Sequence, residues 1–188
     1  MKTEARRELL ALRDALTPDV RRAKSAAVAG LLKAQPEYIK AGTVLFYVDF
    51  RSEVQTRRMI EAALGDGKRV LAPKVDRKAH RLKLFEISDL ARDLEAGYMG
   101  IYEPVANRKA EADPAQVDLV VMPGVGFDPE CRRLGYGGGY YDRLIEKLKA
   151  GAALIALAFD IQVVDDIPSE EHDKRVDKII TETRVITA

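Results

Sequence analysis

The chain has 188 residues, 47% hydrophobic and 32% charged, with 31 Lys+Arg against 30 Asp+Glu. That is a globular length, enough to bury about two-thirds of the unfolded surface without disulfides or a structural metal. The balanced charge argues against a dedicated nucleic-acid binder. A single cysteine (Cys131) and two histidines (His80, His172) exclude an internal disulfide and argue against a Cys/His metal centre.

The elements follow in chain order. Ala5, Leu9, Leu12 and Leu16 recur at helical spacing and predict a helix over 2–16. Thr17 followed by Pro18 starts a second helix that ends near Gln35–Pro36. Residues 43–50 (TVLFYVDF) predict a buried strand. Ser52 with Gln55 three residues on reads as a capping box for a helix over 53–64, closed by Gly65 and Gly67. Residues 69–75 and 82–87 are strand candidates, 88–96 a short helix and 97–114 mostly loop. Residues 117–122 (VDLVVM) form a second buried strand, broken at Pro123–Gly124. A Gly-rich loop and a helix over 139–149 come next. Residues 152–159 are a third buried strand, and 178–181 and 184–187 are short strands. The longest apolar run, 150–159, has about half the ~20 residues of a membrane span. The charged N-terminus lacks the apolar core of a secretory signal, so a cytoplasmic protein is expected. Apolar strands alternating with helices imply a single three-layer α/β domain, a mostly parallel sheet with helices on both faces. Ligands of such sheets bind outside the carboxyl ends of the strands, here after Phe50, Met122 and Phe159.

The sharpest chemical feature is the run from Arg132 to Arg143, RRLGYGGGYYDR. Glycines let backbone N–H groups crowd around an anion, and Arg133 adds a fork that matches a phosphate. The plain alternative is a flexible turn. Neither the Walker pattern nor the dinucleotide fingerprint is met, because Tyr140 follows Gly139 and no third glycine falls at the required place. On the first helix Lys2, Arg6 and Arg13 fall within an arc of about 40°, either a solvated basic flank or the border of a phosphate site. Asp142 closes the Gly loop and Asp173 follows the last buried strand. Magnesium held with a nucleotide takes one or two such carboxylates. Each also has an ordinary reading, Asp142 as a first-turn helix charge and Asp173 as loop acidity. Asp177 is an alternative to Asp173. Glu53 lies at the carboxyl end of the first strand.

Together these segments resemble the 5-formyltetrahydrofolate cyclo-ligase family over nearly the whole chain. The resemblance rests on Lys2–Arg6, 52–56 (SEVQT), 100–104 (GIYEP), 123–128 (PGVGFD), 133–142 (RLGYGGGYYD) and 168–182 (PSEEHDKRVDKIITE). It implies an ATP- and Mg2+-dependent conversion of 5-formyltetrahydrofolate to 5,10-methenyltetrahydrofolate, with ADP and phosphate released through a phosphorylated formyl group. It also implies a site. Lys2 and Arg6 would bind ATP phosphates. Arg133, Leu134, Gly135, Tyr136, Gly137, Gly138, Gly139, Tyr140 and Tyr141 would wrap the phosphates. Tyr136 through Tyr140, with Val48, Glu53 and Met99, would meet the folate. Asp142 and Asp173 would hold magnesium, and Arg133 and Tyr140 would carry the catalysis. Gly138 stands where some relatives have Lys, and Met99 where some have Trp. A monomer acting on a small molecule is expected, with no nucleic acid or membrane partner. A phosphosugar isomerase or a non-catalytic nucleotide-binding module would use a similar loop on a similar sheet.

Overall fold

The computed structural model describes residues 1–97, 100–106, 109–170 and 173–188. Its helices are α1 (Lys2–Asp14), α2 (Pro18–Lys33), α3 (Pro36–Lys40), α4 (Arg57–Gly65), α5 (Leu90–Asp93) and α6 (Tyr140–Ile145). Its strands are β1 (Thr43–Phe46), β2 (Arg69–Asp76), β3 (Arg81–Ile87), β4 (Leu94–Ala96), β5 (Tyr102–Pro104), β6 (Leu119–Met122), β7 (Gly126–Phe127), β8 (Arg133–Leu134), β9 (Ala153–Leu157), β10 (Lys178–Ile180) and β11 (Val185–Thr187). The main sheet runs β11-β10-β9-β6-β1-β2-β3. The four inner pairings, from β10 across to β2, are parallel, and the two edge pairings are antiparallel.

Alternating residues of each inner strand feed opposite faces. Val44, Phe46, Val121 and Leu157 pack with Val28 and Leu32 of α2 and Ile60 of α4. Leu45, Val120, Met122 and Ala156 pack with Leu144 of α6 on the other side. This gives the expected three-layer arrangement. Among the described residues no helix is long and apolar enough to cross a membrane.

The differences from expectation cluster around the strand ends that shape the site. The first strand stops at Phe46 rather than Phe50, although the Tyr47 N–H still donates to the Val121 carbonyl at 3.3 Å. Continuing the paired registers places Pro73 level with Tyr47 and Pro123 level with Val48. Neither proline has an N–H to give, so the ladder ends there. The capping box at Ser52 does not form. Ser52 turns inward to Arg13 and Asp14, and α4 begins four residues later than expected, at Arg57. Asp49 takes over the capping role, with its Oδ1 accepting the N–H groups of Thr56 at 2.9 Å and Arg57 at 3.3 Å. Asp49→Ala should therefore cost about 1 kcal/mol of stability, read as a lower urea midpoint at unchanged slope. The helix after the Gly loop is shorter than expected and ends at Ile145. A second short helix, α3, and the hairpins β4–β5 and β7–β8 were not anticipated.

Candidate active site

Where β1 and β6 lose their ladders, their carboxyl ends open into a cleft of about 950 Å³. Its walls come from one face of α1, the turn after β1, the β2–β3 hairpin, Tyr102 of β5, the Gly loop and residues 170 and 173.

One corner concentrates charge. Lys2 Nζ donates to Asp173 Oδ2 at 2.7 Å and lies 3.1 Å from Glu170 Oε1. Partial burial pulls the Lys2 ammonium down, but these two carboxylates outweigh it and raise it above the usual lysine value. Arg6 Nε donates to the Gly135 carbonyl at 2.7 Å and so lies against the Gly loop. Arg133 is almost wholly buried, with 6% of its side chain exposed. It sits 3.4 Å from Asp142 and reaches the Pro123 carbonyl, also at 3.4 Å. Its Nε is buried without an acceptor among the described residues. A buried donor without a partner is costly, and an oxyanion entering this corner would satisfy it.

The backbone N–H of Lys174 reaches Asp142 Oδ1 at 3.4 Å, which brings the Asp142 and Asp173 segments to one corner of the cleft. Two carboxylates beside a cationic corner would suit magnesium brought in with a phosphate ligand, since that ion keeps waters and leans on phosphate oxygens for its other ligands. Among the described residues there is no cluster of three or more acidic, His or Cys side chains that could hold a metal ion.

Gly137 and Gly139 sit at φ of 97° and 60°, a region side-chain-bearing residues rarely adopt. They curl the loop over the cleft. At Gly138 a Cβ would lie 2.6 Å from the Tyr140 ring, so this glycine lets Tyr140 fold across the loop. Arg143 braces that arrangement by donating to the Gly138 carbonyl at 2.6 Å and standing over the Tyr140 ring.

The middle of the cleft is built around Glu53, which is 6% exposed. Its Oε2 accepts the Phe50 N–H at 2.9 Å and its Oε1 accepts the Tyr136 hydroxyl at 2.5 Å. Burial pushes the Glu53 carboxyl up, and the Tyr136 hydrogen bond pulls it partly back. The Tyr136 ring stays half open to the cleft, while enclosure of its hydroxyl against Glu53 pushes that phenol up as well. Tyr47 and Tyr141 complete the surround.

The cleft thus gathers Lys2, Arg6, Val48, Glu53, Arg133, Gly135–Gly139, Tyr140, Tyr141, Asp142 and Asp173. Leu134 is the exception. Its side chain packs in a small cluster with Leu9, Val125 and Ile167, and only its main chain, paired with Gly126, adjoins the loop. Met99 lies outside the described residues. Asp177 accepts the Leu154 N–H at 2.7 Å at the amino ends of β9 and β10, the opposite end of these strands from the carboxyl edge, and does not line the cleft. Arg143, Glu170 and Tyr102 also line the cleft, though the sequence did not single them out, and so does Arg13, which the sequence placed on a stripe that is either a solvated basic flank or the border of a phosphate site. Arg143 carried a signal, because it closes the same glycine-tyrosine run.

Fold and cleft define an α/β protein with a mostly parallel sheet and a charged cleft open at the carboxyl ends of its strands. The model of the 5-formyltetrahydrofolate cyclo-ligase family matches residues 1–182. A probable 5-formyltetrahydrofolate cyclo-ligase of Schizosaccharomyces pombe is 31% identical over 164 residues, 80% of each chain. The 5-formyltetrahydrofolate cyclo-ligase of Escherichia coli K12 is 29% identical over 174 residues, 92% of this chain and 96% of its own. The solution structure of Aquifex aeolicus 5,10-methenyltetrahydrofolate synthetase superposes with a TM-score of 0.86 at 33% identity, covering 99% of this chain and 92% of that one. The chain belongs to the 5-formyltetrahydrofolate cyclo-ligase family.

Proposed function

We propose that this enzyme converts 5-formyltetrahydrofolate to 5,10-methenyltetrahydrofolate with consumption of Mg-ATP. The observation that supports the reading is that one cleft is lined both by a cationic corner, where the buried Arg133 Nε has no acceptor among the described residues, and by a carboxylate–phenol pair at Glu53 and Tyr136.

A formyl oxygen on nitrogen is a poor leaving group. Bound Mg-ATP would supply the phosphoryl group that makes it a good one. Once phosphorylated, that oxygen departs as phosphate when the tenth-position nitrogen closes the ring on the formyl carbon and sheds its proton. Phosphoryl transfer asks for in-line positioning and positive charge rather than a protein nucleophile. Arg133 faces the transferred group, and Lys2, Arg6 and the loop N–H groups hold the other phosphates. Asp142 and Asp173 would hold magnesium at the corner where they meet. Tyr140, folded across the loop, screens the reacting oxygen from water. Glu53 accepts hydrogen bonds from the ring N–H groups of the reduced pterin, with Val48 beneath it.

The test is to mix protein, ATP, magnesium and folinate and follow the near-ultraviolet absorbance of the methenyl product against ADP. One ADP per methenyl formed is expected. ATP binding without product would leave a nucleotide-binding module, and no response to either ligand would contradict the reading.

Because Lys2 and Arg6 lie at the charged corner, Lys2→Ala and Arg6→Ala should each raise the Michaelis constant for ATP roughly tenfold, as for a lost charge-assisted contact. The folinate constant should move little. A shift confined to folinate would move these cations to the other half of the cleft.

A further inference from the structure

Arg13 is 2% exposed, an unusual burial for an arginine. It stands on the inner face of α1 where three site segments converge. Its Nε donates to Ser52 Oγ at 2.9 Å, on the turn that carries Glu53. One terminal nitrogen donates to the Gly124 carbonyl at 3.3 Å, where the chain leaves β6. Its guanidinium carbon lies 5.9 Å from the centre of the Tyr136 ring, on the Gly loop. Ser52 passes the contact on by donating to Asp14.

We propose that Arg13 is the positioning residue of the folate half of the site, joining the Glu53 turn, the β6 exit and Tyr136 so that the Glu53 carboxylate is presented as an acceptor for pterin N–H donors. The proposal rests on the function proposed above. It differs from a purely architectural role in one respect, which is charge. Among the described residues, the groups that act on Glu53 include Tyr47 and Asp49 from the segment after β1, Tyr136 from the loop, Tyr141 from α6 and Arg13 from α1. Arg13 is the cation of that set. Burial and Asp49 favour a protonated Glu53, and Arg13 opposes them. A protonated carboxyl would lose acceptor capacity toward the ring. Removing the Arg13 charge therefore raises the pH below which Glu53 stops accepting.

Calorimetric titration of folinate, without ATP, across pH 5 to 8 tests this. In the parent protein, affinity should fall on the acid side. Glu53→Gln should abolish that acid limb, which identifies it. Arg13→Gln should weaken folinate binding about tenfold at neutral pH and displace the limb to higher pH. Arg13→Lys keeps the charge and loses the fork, so its limb should stay in place while affinity falls several-fold. An Arg13→Gln protein with the parent's folinate affinity and limb overturns the proposal. So does a limb that survives Glu53→Gln. If Arg13→Gln fails to fold, unchanged folinate affinity in Arg13→Lys overturns it instead. A parent that binds no folinate at any pH removes the proposed function, and this inference with it.

Discussion

Replacing Arg133 with alanine is expected to lower turnover at least ~100-fold in a protein that still folds, the scale of losing one preorganised donor to transition-state charge. The size follows from where the side chain sits. It is held between Asp142 and the Pro123 carbonyl, and its Nε has no acceptor among the described residues. Those fixed contacts spare it reorganisation when charge develops on a transferred phosphoryl group. The fold should survive because Arg133 lines the cleft wall and its polar contacts there, to Asp142 and the Pro123 carbonyl, are both long. Arg133→Lys should recover only part of the loss, since an ammonium cannot reproduce the fork. Near-parental turnover in a folded Arg133→Ala protein would remove the residue from the mechanism.

The second large effect is expected at the two aspartates. Asp142→Asn and Asp173→Asn should each move the magnesium dependence of turnover to higher concentration, and the double variant should show less than the summed effect if both act through one ion. Each carboxylate is paired with a cation here, Asp173 with Lys2 and Asp142 with Arg133. Mg-ATP would exchange those partners, giving phosphate to the cations and metal to the carboxylates. Weak metal binding by the protein alone is therefore expected, with binding appearing when ADP or ATP is present. Titration with manganese, followed by its electron-spin signal, reads this without turnover. Additive effects, or nucleotide-dependent manganese binding unchanged in both variants, would place the ion elsewhere.

What the sequence made legible were the features carried by contiguous residues. The buried strands announced themselves as apolar runs, and the Gly loop with Arg133 formed one uninterrupted motif. The misplaced boundaries trace to neighbours distant in sequence. The end of β1 depends on Pro73 and Pro123, which come level with it only once the sheet is assembled. Ser52 resembled a helix cap because its competitors, Arg13 and Asp14, lie on another helix. The site's pairings were hidden for the same reason. Lys2 and Asp173 are 171 residues apart, and Glu53 and Tyr136 are 83 apart. Periodicity placed Arg13 beside Lys2 and Arg6 on α1. It gave no sign that Arg13, at the other end of the helix, would be driven into the interior while Lys2 stayed at the cleft edge.

The central claim is that the cleft couples phosphoryl transfer to ring closure on one folate molecule. Folinate labelled with oxygen-18 in its formyl group tests this directly. With ATP and magnesium, the label should appear in the released inorganic phosphate, one atom per methenyl product, as an isotope shift in the phosphorus spectrum. Methenyl product accompanied by unlabelled phosphate would mean that the formyl oxygen never received the phosphoryl group, and would contradict the account.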